Sequence, residues 1–332
     1  MRPDEDRSDP ADGPPHERDP MRIAVVDIGT NSTRLLVADV AHGRVTEQLE
    51  RLTRVTRLGV GVDAHGKLDP EAMARVLATL DDYARVIEAH QVERRVAVLT
   101  SAVRDAANGA EFAAAVAARY GLEAKILDGG QEARLTFLGA TSEHDPADRT
   151  ITLVTDIGGG STEFVIGQGR DARFHVSTQA GVVRQTERHL HHDPPHTDEL
   201  EQLAADVRSI IEAAVPEEQR RVQHAIGVAG TPTSLAAIAQ ALDPYDPACV
   251  QGYILDRAEC KRLLARLAAT PLQERREIPG LHPDRAPTIV AGAVILVEIM
   301  RLFELERIEA SEHDILRGAA LWFTSDAGSA PY

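Results

Sequence analysis

The chain spells one turn twice, and this repetition constrains its fold more than any other feature. Residues 25–37 read Val-Val-Asp27-Ile28-Gly29-Thr30-Asn31-Ser32-Thr33-Arg34-Leu-Leu-Val, and residues 154–166 read Val-Thr-Asp156-Ile157-Gly158-Gly159-Gly160-Ser161-Thr162-Glu163-Phe-Val-Ile. Each copy is an apolar strand, an Asp, a turn of small residues and a second apolar strand. Such a turn exposes backbone N–H groups on a concave surface, an anion nest suited to phosphate oxygens. Glycine serves where backbone must approach a ligand. The Asp closing each first strand is placed to hold a divalent cation, directly or through water. Two copies at half-chain separation point to a duplicated architecture. The expectation is that the turns face each other across one cleft and grip a phosphate chain and its metal from both sides. After Ser-Thr the first copy has Arg34 and the second Glu163, so one turn adds positive charge and the other negative.

Composition narrows the function classes. With 332 residues and 43% apolar content, the chain is long enough for two domains with sizeable cores. Its two cysteines, Cys249 and Cys260, fit a reducing cytosol rather than a disulfide framework, so a cytoplasmic location is expected. The longest apolar run, Ile289 to Val297, is broken by Glu298 and is too short for a membrane span. The charged, Pro-rich residues 1–20 contain no signal-peptide core and read as disordered, with Met21 a natural start of the folded part. A net charge of −16 and 4% aromatic residues argue against a nucleic-acid surface and against base-stacking platforms. A polyanion would need locally focused cations. Arg34, Arg51, Arg54, Arg57, Arg104 and Arg285 are the candidates, with Mg²⁺ completing the charge.

Strand and helix patterns alternate, which implies an α/β fold. Strands are expected at 23–27, 35–40, 96–100, 124–127, 151–155, 225–229 and 308–310. Asp69-Pro70-Glu71 starts a helix, with Asp69 as N-cap and Pro70 at its first position. Ala72, Val76, Leu80, Tyr83 and Ile87 carry that helix to about His90 at helical spacing. Residues 101–105 read as a strand-to-helix loop and Asp128-Gly129-Gly130 as a turn. Helices follow over 131–140, after 230–234, over 288–303 and over 312–323, with loops at 191–197 and 243–247.

On these residues the chain resembles the exopolyphosphatase and guanosine-pentaphosphate phosphohydrolase family, within the superfamily of actin, sugar kinases and chaperone ATPases. The doubled hairpin carries the wider resemblance. The narrower one rests on DIGTNSTRLLV (27–37), TSAVRDA (100–106), GGQEARLTFLGA (129–140), DIGGGSTEFVIG (156–167), GVAGTPTSLAAIA (227–239), DRAPTIVAGAVIL (284–296) and SEHDILRGAAL (311–321). It implies two actin-like, ribonuclease H-like α/β domains around a central cleft. Domain I would hold residues 21–128 and recover 308–326, and domain II would hold 129–307.

The resemblance implies Mg²⁺-dependent hydrolysis of a terminal phosphoanhydride, with inorganic polyphosphate or guanosine pentaphosphate (pppGpp) as substrate and a homodimer as the assembly. Glu132 falls on the family's general base, which activates the attacking water. Asp27, Asp156 and Glu163 match its acidic metal- and water-positioning residues. Gly29, Asn31, Ser32, Gly158, Gly159, Gly160, Ser161 and Thr162 match the phosphate cradle. Arg104 matches a cleft arginine, with Arg34 and Arg285 as partners that offset charge developing in phosphoryl transfer.

Two departures qualify this picture. The family's first glutamate of the base segment is here Gln131, which relieves like-charge repulsion on Glu132. Because neighbours on a helix point apart, Gln131 is expected to support the site rather than act in it. The chain also stops soon after the two core domains, so a preference for short or medium polyphosphate with release of intermediates is expected. The leading expectation is an exopolyphosphatase, and the near alternative is the same chemistry on pppGpp. More distant readings are a nucleotide-dependent kinase, with Gly227–Thr231 near its adenosine, and a silent alarmone or polyphosphate sensor. The His-rich stretch Arg188–His196 reads as a solvated loop rather than a zinc site, because Pro194-Pro195 interrupts any helical spacing. No GxxxxGK[ST] P-loop occurs.

Overall fold

A computed structural model describes residues 20–325. The expected disorder of residues 1–20 therefore falls, Pro20 apart, outside the described residues. The first sheet is built from β1 (Met21–Ile28), β2 (Ser32–Ala41), β3 (Arg44–Val55), β4 (Arg94–Leu99) and β5 (Glu123–Ile126), in the order β3-β2-β1-β4-β5. The second is built from β6 (Thr152–Ile157), β7 (Thr162–Gln168), β8 (Asp171–Thr178), β9 (His224–Val228), β10 (Tyr253–Asp256) and β11 (Arg307–Ala310), in the order β8-β7-β6-β9-β11-β10.

The two sheets are copies of one plan. In each, the first strand pairs antiparallel with the second through the small-residue turn, the second with the third likewise, and the first parallel with the fourth. The fifth position is filled by β5 in one sheet and β11 in the other, both parallel to their neighbours. β10 then adds an antiparallel edge to the second sheet. This is the doubled arrangement that the repeated turn implied.

One boundary needs correction. Residues 308–310 were expected to return to the first domain, but β11 hydrogen-bonds between β9 and β10 in the second sheet. A short strand of Arg-Ile-Glu-Ala needs a parallel partner with free edge groups, and β9 supplies one. Only the helix Ile315–Phe323 goes back, packing Leu316, Ala319, Ala320 and Phe323 on Ile23, Val25, Val96 and Val98 of the first sheet.

Between the sheets, the helix Gly129–Ala140 crosses the helix Ile315–Phe323 through glycine. A Cβ on Gly139 would lie 1.9 Å from the Asp314 carbonyl oxygen, and one on Gly318 would lie 1.8 Å from that of Leu135. The former helix divides its apolar side between the domains. Leu135 joins the first sheet's core, while Ala133, Phe137 and Ala140 pack on Val154, Val165, Ile226 and Val228. The helix Pro70–Ala89 forms as its spacing predicts, with Ala72, Val76, Leu80, Tyr83 and Ile87 buried and Asp69 accepting from the Glu71 and Ala72 amides. The helix Ile289–Leu302 is buried on nearly every face, as its apolar run from Ile289 to Val297 requires. Among the described residues, no helix is long and apolar enough to cross a membrane.

Candidate active site

The two turns are closed in the same way. The Gly29 N–H donates to the Ser32 carbonyl at 3.0 Å, and the Gly158 N–H donates to the Ser161 carbonyl at 2.9 Å. A Cβ on either glycine would sit 3.1 Å from that carbonyl oxygen, tight enough to disturb the turn. Neighbouring carbonyls are tied back: Thr30 O accepts from Gly59, Asn31 O from Thr56 and Arg57, Gly158 O from Val182 and Gly159 O from Val183. Among the described residues, the amides of Thr30, Asn31, Gly159 and Gly160 donate to no backbone carbonyl. Unengaged amides on a fixed turn are what an anion nest requires. A Cβ built on Gly159 would lie 3.5 Å from Asn31 Cβ, so the turns face each other at close range, as expected. Thr162 departs from the expected cradle. Its side chain is fully buried and its hydroxyl donates to the Ala180 carbonyl at 2.7 Å, because a residue opening β7 on the core side must satisfy its hydroxyl internally.

Each aspartate has the chemistry-bearing residue of its own hairpin as its cross-strand partner: Asp27 opposes Arg34, and Asp156 opposes Glu163. Arg34 was expected to meet phosphate. The structure instead fixes it on carboxylates, its Nε donating to Asp27 Oδ2 at 2.8 Å and its Nη1 to Asp314 Oδ2 at 2.5 Å. A guanidinium this enclosed needs anionic partners, and two buried acids supply them. Asp314, the N-cap of the last helix, also accepts from Arg51 Nη2 at 3.0 Å and from the Leu316 amide at 3.0 Å. These partners hold its carboxyl below the usual range against the effect of burial. Asp27 Oδ1, by contrast, is buried with no partner.

Four carboxylates act on one another around the cleft. Burial raises the pKa of Asp27, with Arg34 opposing and Asp314 adding to the rise. Burial raises Asp156, again against Arg34 and helped by Asp314 and Asp27. Burial raises Glu163, reinforced by Asp156 and Glu132, although Ser177 Oγ donates to its Oε1 at 2.7 Å. Glu132 is pushed up to about 7 by burial, with Arg104 opposing and Asp27 and Asp156 adding to the rise. Clustered, desolvated acids of this kind are costly unless a cation joins them. The orphaned Asp27 oxygen and the acidic donor set fit a hard divalent ion. Asp27, Asp156 and Glu163 do not form a closed cage. Among the described residues, the triads whose donor atoms lie within 4.8 Å of one another are His144–His224–Glu309 and His192–His196–Glu199. That suits Mg²⁺, which keeps several waters and takes few protein carboxylates.

Glu132 lies in the first turn of its helix, and its neighbour Gln131 has a separate task. Asp128 Oδ1 accepts from the Gln131 amide at 2.8 Å, and Gln131 Oε1 accepts from the Asp128 amide at 2.9 Å. This reciprocal capping box makes Gly129 and Gly130 the first helical residues rather than a separate turn. It also engages the Gln131 side chain in capping the helix. Arg104 ends a short helix, Ser101–Arg104, where a loop was expected. Its Nη1 donates to Glu132 Oε2 at 3.1 Å and to the Leu127 carbonyl at 3.0 Å. Arg285 was expected beside the phosphate turns. It lies instead at the start of the helix Gly230–Ala239, its Nη1 donating to the Gly230 carbonyl at 3.1 Å and to Ser234 Oγ at 2.9 Å. Asp314 was missed as a site residue. Its signal was present, since an Asp directly before an apolar helical run is an N-cap pattern.

Comparison with known proteins places the fold and the family. The model of the Ppx/GppA phosphatase family matches residues 35–319. "Exopolyphosphatase 2" of Mycobacterium tuberculosis is 40% identical over 315 residues, covering 90% of this chain and 98% of that protein. The crystal structure of the Aquifex aeolicus Ppx/GppA family member superposes with a TM-score of 0.80 at 30% identity, over 91% of this chain and 97% of that one. An exopolyphosphatase from Cytophaga hutchinsonii superposes with a TM-score of 0.79 at 28% identity, over 90% and 96%. The paired sheets are thus the two-domain actin-like fold, and the chain belongs to the Ppx/GppA phosphatase family, enzymes that hydrolyse phosphoanhydrides.

Proposed function

We propose that this enzyme is a Mg²⁺-dependent exopolyphosphatase that removes the terminal phosphate of inorganic polyphosphate. The observation that carries the reading is Glu132, a half-buried carboxylate raised to about 7 by desolvation, with Asp27 and Asp156, at the ends of the strands leading into the two facing nests, adding to the rise. A general base works best with a pKa near the operating pH. The amides of Thr30, Asn31, Gly159 and Gly160 hold phosphate oxygens at the end of the chain. Glu132 takes a proton from the water that attacks the terminal phosphorus. The new P–O bond forms as the bridging P–O bond breaks, giving orthophosphate and a chain one unit shorter. Arg104 orients the Glu132 carboxylate and limits how far its pKa rises. Asp27, Asp156 and Glu163 would hold the Mg²⁺, which neutralises charge on the phosphate oxygens.

The cytoplasmic location rests on the unpaired Cys249 and Cys260, and the homodimer on the family resemblance alone. Phosphate release from polyphosphates of graded length, pppGpp and ATP tests the substrate. Polyphosphate should give the largest kcat/KM. A larger value for pppGpp would replace this reading with the pentaphosphate one, and turnover of ATP only with an acceptor would make the protein a kinase.

A further inference from the structure

A second group of ligand-type side chains sits away from the cleft, on the second sheet. His224 opens β9, Glu309 lies in β11, and the two strands are paired so that Glu309 is registered with Ile226. His144 comes from the segment just after the helix that carries Glu132. His224 Nε2 is 3.1 Å from Glu309 Oε2, and His144 Nε2 is 3.8 Å from the same oxygen. The imidazole centroids are 5.6 Å apart. All three donor atoms lie within 4.8 Å of one another, and all three residues are half-buried.

This is a nitrogen-rich set, unlike the all-oxygen set of the cleft. Two imidazoles and one carboxylate suit zinc and its neighbours and do not suit Mg²⁺. A tetrahedral zinc centre with bonds of about 2.0–2.2 Å places its donor atoms roughly 3.3–3.6 Å apart. The two His–Glu separations straddle that range. The His144 and His224 side chains are 29% and 32% exposed, so an ion has a way in, while Glu309, at 15%, forms the floor. The carboxylates of Glu143 and Asp148 also act on His144 and favour a cation there. The other triad is poorer. Both oxygens of Glu199 already accept backbone amides, from His191 at 2.9 Å and His196 at 2.8 Å, as the cap of the helix Thr197–Ala214. The His192 and His196 rings stack at 3.8 Å instead of converging.

We infer that His144, His224 and Glu309 form a binding site for one zinc-class divalent ion, with its fourth position open to water. Binding there ties the segment after the Glu132 helix to β9 and β11. The imidazoles must be unprotonated to ligate, so binding weakens as pH falls.

The test is a Co²⁺ titration of the full chain, freed of metal by chelation and held in excess Mg²⁺ so that the oxygen site is occupied. Visible d–d absorption of tetrahedral cobalt should rise and saturate at one ion per chain. His144→Ala lies outside the sheets, and its fold is checked by its thermal midpoint without metal. It should weaken Co²⁺ binding more than about 100-fold, beyond what loss of an outer-shell partner costs. His224→Gln should do the same, and competing Zn²⁺ should bleach the band. The double variant His192→Ala/His196→Ala should bind like the parent. No cobalt band in the parent, a band that survives His144→Ala, or a band lost only in the double variant would each overturn the inference.

Discussion

At the scale of single residues, chemistry was legible where the residue type itself carries the signal. Gly29 and Gly158 close their turns alike, and Asn31 meets Gly159 at close range, as the repeated motif implies, whereas Glu132 was singled out only by the family resemblance. The arginines were harder to read, because a guanidinium goes to the strongest available anion and the sequence does not show where the acids converge. Arg34 is held by Asp27 and Asp314, Arg104 by Glu132, and Arg285 by a helix start. Two predictions belong here. Glu132→Gln keeps the shape and removes the base, so kcat should fall by about 10²–10⁴ with substrate binding retained; unchanged turnover in single-turnover kinetics would remove Glu132 from its role. Arg104 opposes the rise of the Glu132 pKa. A base is active only when deprotonated, so activity falls as pH drops through that pKa. In Arg104→Gln the acidic limb of the kcat/KM profile should therefore move to higher pH. A limb that stays put, or moves lower, would show that Arg104 does not act on Glu132.

At the scale of elements, strong local patterns were readable and interfaces were not. The Asp69-capped helix and the buried helix Ile289–Leu302 follow directly from capping and apolar spacing. β3 was not legible, since its exposed edge carries mostly polar residues from Arg44 to Val55 and offers no apolar alternation. The glycine crossing of the Glu132 helix and the last helix was also invisible, because Gly139 and Gly318 look like weak helix formers until the two axes are placed together. That crossing sets where Glu132 stands relative to both sheets. Gly318→Ala would drive a methyl group to 1.8 Å from the Leu135 carbonyl oxygen, with backbone on both sides and no flexible atom to yield. The expected cost is about 3 kcal/mol, at the upper end of overpacking, read as a lower denaturant midpoint at unchanged m. A midpoint within error of the parent would mean that the helices separate at little cost.

At the scale of the molecule, the repeated turn foretold a duplicated fold, and the matching strand orders of the two sheets bear it out. The exchange of β11 into the second sheet was not foretold, since a four-residue strand fits either edge until the partner strands are known. Duplication brings two acidic strand ends to one cleft, and the proposed metal site there predicts a linkage between protons and metal. Burial holds the pKa values of Asp27, Asp156, Glu132 and Glu163 above those of an unfolded chain. For acids raised in this way, the stability they contribute is complete below the unfolded pKa and is lost as pH rises through the folded one. Groups with lowered carboxyl pKa values, such as Asp314, Glu199 and Glu309, contribute fully throughout the range above pH about 5, so they do not offset this loss. A cation that binds the ionised acids competes with their protons. Mg²⁺ should therefore raise the thermal midpoint little near pH 5 and progressively more towards pH 8, through the values of about 6 for Asp156 and about 8 for Glu163. Thermal scans with and without saturating Mg²⁺ across that range measure the increment. In the Asp27→Asn/Asp156→Asn double variant the increment should flatten. A Mg²⁺ increment independent of pH in the parent protein would show that the cleft carboxylates do not hold the ion.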